Sequence, residues 1–156
     1  MNNKIFLDSS TLIEYRKGNH IDFFENIVGN SLWFPCISQI VVSEYLFHHL
    51  GVFGGKSPLS IKMSNGVKSV IAIKDPTFFL KQFEWLQDHP TMGALSIKLM
   101  EAYNLLPNDA LILSICKTYE IKFLASHDPD FKDACSSEGI VLFGNFSELS
   151  TYENSL

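Results

Sequence analysis

Two short apolar runs, far apart in the chain, end in the same way. Ile5-Phe6-Leu7 stops at Asp8, which is followed by three hydroxyl residues, Ser9, Ser10 and Thr11. Ile121-Lys122-Phe123-Leu124-Ala125 stops at Ser126-His127-Asp128-Pro129-Asp130. Runs this short and apolar fit strands buried on both faces. Strands alternating with helical segments predict an α/β fold around a parallel sheet, with both strand-end acids on one sheet edge. Ligands of open α/β sheets bind beyond the carboxyl ends of the strands. Taken alone, Asp8 reads first as a helix cap, a common use of Asp and Ser.

The rest of the chain gives those strands a frame. After Asp8 the spacing predicts a short helix over 11–17 ended by Gly18, then a helix over 20–28 capped by Asn19 and stopped by Gly29. Leu32 to Ile37 reads as a strand, short or near an edge because it contains Pro35. Ser38 stands where an N-cap would, before a helix over 39–50 ended by Gly51. Ile40, Val41, Tyr45 and Leu46 cover much of that helix, so Glu44 is either paired or metal-bound, or turned outwards between Val41 and Phe47. Residues 52–65 read as a loop, with a weak strand or helical turn over 67–73. Asp75-Pro76-Thr77 opens a helix whose inner face is Phe78, Phe79, Phe83 and Leu86, and Thr91 starts another. Pro107-Asn108-Asp109 begins a helix that is apolar from Ala110 to Cys116 apart from Ser114, hence central. Asp109 lies in its first turn, where the dipole and free N–H groups favour negative charge. A last strand covers 139–143. The chain reads as one domain over 1–150 with a loose polar tail over 151–156.

Composition narrows the function. With 156 residues, 46% of them hydrophobic and 19% charged, the chain builds a proper core. No apolar run approaches the length of a membrane span, and Met-Asn-Asn-Lys leads straight into a strand, so cytoplasmic residence is the default expectation. The three cysteines form no CxxC pair, which argues against a zinc knuckle or a disulfide framework. A net charge of −5 argues against bulk electrostatic capture of nucleic acid. The charge is uneven, however: no acid lies between Glu44 and Asp75, while Lys56, Lys62, Lys68 and Lys74 fall there. A solvated loop and a phosphate-contacting surface fit that stretch equally.

Asp8, Glu44, Asp109 and Asp128 therefore stand out by position. Gathered at one edge, carboxylates raise each other's pKa, and a hard divalent cation such as Mg²⁺ or Mn²⁺ relieves the repulsion better than zinc. Such ions serve phosphoryl chemistry. The histidines are scattered and suggest no competing nucleophilic arrangement. An aspartyl-nucleophile phosphatase would want a second acid two residues after Asp8, and Ser10 occupies that place.

These residues resemble the PIN domain family, particularly its VapC-type toxin ribonucleases. Phe6-Leu7-Asp8-Ser9-Ser10 is similar to the family's opening strand and first acid, and Ser43-Glu44-Tyr45-Leu46 to its second-acid helix. Pro107-Asn108-Asp109-Ala110 is similar to the third-acid turn, and Leu124-Ala125-Ser126-His127-Asp128-Pro129-Asp130-Phe131 to the closing signature. Ser126 stands where the family usually has Thr, and the 51–74 segment is longer than in compact toxins. The resemblance implies a three-layer α/β/α sandwich with a mainly parallel sheet, and a Mg²⁺/Mn²⁺-dependent endoribonuclease. It implies that Asp8, Glu44, Asp109 and Asp128 hold the metal and act in catalysis, with Asp130 replacing or assisting Asp128. Ser10 and Ser126 would support the acids, and Lys56, Lys62, Lys68 and Lys74 would contact RNA. A cognate antitoxin and a homodimer are implied as partners. A non-toxin or degenerate PIN-like domain that binds RNA or a protein is the non-enzymatic alternative.

Overall fold

The first strand, β1 (Asn3–Leu7), lies at the centre of a five-stranded sheet whose pairings are all parallel. The computed structural model describes residues 3–156. On one side of β1 lie β2 (Trp33–Ser38) and β3 (Glu84–Leu86), and on the other β4 (Phe123–Ala125) and β5 (Val141–Phe143), giving the order β3-β2-β1-β4-β5. Ile5, Phe6 and Leu7 are fully buried, as a central parallel strand requires. The chain runs outward from β1 through β2 and β3, then returns to β1's other side. The β1/β4 junction is thus the point where strand order reverses, the place where open α/β sheets bind their ligands.

Right-handed crossovers place the helices of the outgoing and returning halves on opposite faces of the sheet, which makes a three-layer sandwich. The outgoing half carries α1 (Ser9–Arg16), α2 (Ile21–Gly29) and α3 (Gln39–Gly54). The returning half carries α7 (Met92–Tyr103), α8 (Pro107–Thr118) and α9 (Phe131–Glu138). Ala110 and Ile112 to Cys116 are buried, so α8 is as central as its composition predicts. No helix of the described residues is long and apolar enough to cross a membrane.

Several expectations need correction. Residues 52–65 do not form a loop. Helix α3 runs past Gly51 to Gly54, and the left-handed cap is Gly55 (φ 67°). Two short helices follow, α4 (Pro58–Met63) and α5 (Val67–Ile73). They seat Ile61 and Val70 on bare Gly54, where an added Cβ would come within 2.4 Å of Ile61. The helix expected after Asp75 shrinks to α6 (Thr77–Leu80), and Glu84 to Leu86 become the edge strand β3 instead. Phe78, assigned to an inner face, is 89% exposed. Strand β2 does lie near an edge, one place in from β3, which pairs with Cys36 to Ser38 and leaves Pro35 just beyond that ladder. Asn19 caps nothing; its amide donates to Glu14, and His20 occupies the cap position of α2. Ser38 takes the N-cap position of α3 without a side-chain capping bond.

The tail is not loose. Helix α10 (Phe146–Glu153) carries Tyr152 into a cluster with Trp33, Phe123 and Phe143. Glu153 accepts from Trp33 Nε1 at 2.6 Å and from Asn30 Nδ2 at 3.0 Å.

Candidate active site

At the end of β1 the backbone turns into α1, and Asp8 becomes the N-cap of that helix, as its sequence context alone suggests. The cap uses only one of its oxygens. Asp8 Oδ2 accepts from Ser10 Oγ at 2.6 Å, from Ser126 Oγ at 2.7 Å and from Ser10 N–H at 3.4 Å. Asp8 Oδ1 has one long contact, to Ser9 Oγ at 3.5 Å. Asp8 as a whole is 4% exposed. One oxygen is therefore saturated and fixed, leaving the other for a ligand. Each serine hydroxyl spends its single proton on Asp8 and accepts a backbone N–H: His127 N–H donates to Ser10 Oγ, and Asp128 N–H to Ser126 Oγ, both at 3.0 Å. The β1 and β4 ends are thus stitched together by the two hydroxyls assigned a supporting role.

Glu44 faces inward from α3. Its Oε2 accepts from Ser9 Oγ at 3.0 Å and its Oε1 from Asn108 Nδ2 at 2.6 Å. Ser9 and Asn108 are the site residues that the sequence reading misses. Both carried a signal, since each is the polar neighbour of a predicted acid. Ser9 lies on α1 and Asn108 in the first turn of α8, so three helices fix one carboxylate.

Asp109, beside Asp128 and Asp130, completes the pocket. One oxygen from each of these three lies within 4.8 Å of the others. Asp130 N–H donates to Asp128 Oδ1 at 2.9 Å, which orients Asp128 by a tight local turn. Burial, then the charges of Asp128, Asp8, Glu44 and Asp130, push the Asp109 carboxyl up to about 7. Among the described residues no Lys or Arg pairs with any of these five acids; the ion pairs lie elsewhere, at Lys4–Glu84, Lys17–Glu14 and Lys117–Glu138. A cluster of hard oxygen donors without a cation of its own fits a metal ion bound through Asp109, Asp128 and Asp130.

The predicted basic residues do not join this pocket. Lys56, Lys62 and Lys68 are exposed around α4 and α5, beyond the far end of α3. Gly54 lies ten helical steps beyond Glu44, about 15 Å of axis. Lys74 ends α5, where its carbonyl accepts from His49 Nε2 at 2.7 Å.

Known proteins resemble this chain. Residues 5–136 match the family profile described as PIN domain. Ribonuclease VapC2 of Methanocaldococcus jannaschii is 33% identical over 132 residues, covering 83% of this chain and 88% of the relative. Ribonuclease VapC6 of the same organism is 27% identical over 150 residues, covering 82% and 90%. Among solved structures, VapBC2 from Rickettsia felis bound to a DNA fragment from its promoter superposes with a TM-score of 0.57. That likeness has 18% identity and covers 90% of this chain and 97% of the other.

Proposed function

The chain belongs to the PIN domain family, and we propose that it is a VapC-type ribonuclease. In this reading it is a metal-dependent endonuclease that hydrolyses RNA phosphodiester bonds and serves as the toxin of a toxin–antitoxin pair in the cytoplasm. The observation that carries the proposal is the cluster of Asp109, Asp128 and Asp130, with Asp8 and Glu44 near enough for their charges to act on Asp109; among the described residues no Lys or Arg pairs with any of the five. The names of the relatives from M. jannaschii supply the substrate class, and a toxin–antitoxin complex from Klebsiella pneumoniae, a structural neighbour of the same fold, suggests the antitoxin. Homodimerisation follows from the same kinship.

Asp8, Glu44, Asp109 and Asp128 are the proposed catalytic and metal-holding residues, and Asp130 assists Asp128. When bound, Mg²⁺ or Mn²⁺ supplies Lewis acidity to a phosphodiester oxygen and lowers the pKa of water. The chain's own residues prepare that chemistry. Ser10 and Ser126 fix Asp8 so that Oδ1 is its open donor atom. Ser9 and Asn108 hold Glu44 in one rotamer. Asp109, its carboxyl pushed up to about 7, would release its proton on holding a cation, as metal binding to acids requires. In-line attack by water on phosphorus, its proton passing to a carboxylate of the cluster, would break the P–O bond to the ribose oxygen, which leaves as an alcohol on taking up a proton from solvent. A phosphoaspartate route fits poorly, because the Ser10 hydroxyl occupies Asp8 where that chemistry needs an acid.

The test is a thermal melt with and without Mn²⁺, together with cleavage of a long single-stranded RNA. The wild-type protein should be stabilised by Mn²⁺ and cut the RNA. Asp8→Asn should keep the apo fold and lose both effects. A wild-type protein that gains no stability from Mn²⁺ and leaves RNA intact would sink the proposal.

A further inference from the structure

We propose that His20 is a stacking platform for a nucleobase of the RNA beside the cleaved phosphate. This inference rests on the nuclease reading above. His127, between Ser126 and Asp128, is held by two bonds: its N–H donates to Ser10 Oγ at 3.0 Å and its Nδ1–H to Gly144 O at 2.8 Å. The His20 ring lies over it, with centroids 4.2 Å apart and planes 28° from parallel. Phe23, fully buried, tilts against His127 at 5.5 Å. Phe23, His127 and His20 therefore form a column that starts in the core and ends in solvent, because His20 is exposed.

The fold supports this ring at some cost to the backbone. His20 has φ 49° and ψ 38°, a left-handed conformation uncommon outside glycine. Non-glycine residues kept in that region cluster at functional sites. The turn that imposes it is tied down: Gly18 is also left-handed, and Glu14 accepts from the side chains of Lys17 and Asn19, each at 2.7 Å. Among the described residues the His20 imidazole makes no hydrogen bond, so the turn presents an aromatic ring whose one partner is His127. Bases of single-stranded RNA stack on His, Phe, Tyr and Trp rings without strong sequence preference. His127 is bonded directly to Asp128 in the chain, so a base on His20 belongs to a nucleotide next to the scissile phosphate.

The experiment compares His20→Asn, which tolerates the left-handed backbone but lacks the ring, with His20→Phe, which keeps a stacking face. With Mn²⁺ and a long single-stranded RNA, His20→Asn should raise KM about tenfold, on the scale of one lost base–aromatic contact, while kcat moves little. His20→Phe should restore KM. With Ca²⁺ in place of Mn²⁺, a short RNA carrying 2-aminopurine should be quenched by the wild type and His20→Phe and not by His20→Asn. Unchanged KM and equal quenching in His20→Asn, whatever its melting temperature, would reduce the column to packing and overturn the proposal alone. A wild-type protein that cuts no RNA would overturn it together with the nuclease reading.

Discussion

Ser126 Oγ donates to Asp8 Oδ2 at 2.7 Å across 118 residues of chain, joining the ends of two neighbouring strands through one buried hydrogen bond. Ser126 also accepts from Asp128 N–H. A single hydroxyl thus sets the orientation of one acid and the backbone of another.

Ser126→Ala should weaken Mn²⁺ affinity by roughly ten- to a hundredfold, the usual effect of removing a partner that orients a ligand. The apo protein should lose about 1–2 kcal/mol, because Asp8 and the Asp128 N–H each lose a partner. Ser126→Thr, which keeps the hydroxyl, should restore binding. Calorimetric Mn²⁺ titration with urea unfolding checks both parts. Equal Mn²⁺ affinity in Ser126→Ala and the wild type would refute the orienting role.

The pH dependence of stability should carry the mark of Asp109. Its folded pKa of about 7 lies above the unfolded value, so the folded state binds the proton more tightly. The associated stability is fully present below the unfolded pKa and is lost as pH rises through about 7. Apo protein should therefore unfold at less urea above neutrality than at mildly acid pH, and Asp109→Asn should flatten that slope. Mn²⁺ should reverse the trend, since binding needs the deprotonated acids. Urea midpoints at several pH values, with and without the ion, decide it.

Asn108→Ala should lower RNA cleavage by about ten- to a hundredfold while the melting temperature falls only slightly. Asn108 donates to Glu44 at 2.6 Å, and losing it frees the carboxylate to rotate without emptying the core. Asn108→Asp should be more damaging, because it sets a sixth negative charge against Glu44. Cleavage rates at saturating RNA separate these variants.

Removing residues 151–156 should destabilise the protein by about 2 kcal/mol or more, through loss of the Tyr152 cluster and the Glu153–Trp33 bond. The Mn²⁺-dependent rise in melting temperature should survive, because the acid pocket lies at the carboxyl ends of β1 and β4. Loss of Mn²⁺ stabilisation in a folded truncated protein would contradict that separation.

The acids at strand ends were legible because their signal is local. A fully apolar triplet followed by Asp8 announces a buried strand and its exit, and Ala125-Ser126 repeats the pattern. Glu44 was legible as a candidate but not in its direction. Its position between Val41 and Phe47 allowed either face, and Ser9 and Asn108, distant in sequence, decide it. Helix α4 was hidden, and α5 was legible only as a weak strand or helical turn over 67–73, because each buries a single large apolar residue, Ile61 or Val70, too few to show a period. Strand β3 spans three residues and owes its form to pairing with β2, which no local pattern records.

The adjacency of β1 and β4 sets a minimum length for any active chain. A polypeptide that stops before β4 contains Asp8, Glu44 and Asp109, yet it lacks Ser126 to brace Asp8 and Asp128 to complete the pocket. Synthesis proceeds from the N-terminus, so these three acids leave the ribosome well before their partners. Products of translation cut short before β4 should therefore cleave no RNA, because the proposed pocket is complete only once the fourth strand pairs with the first.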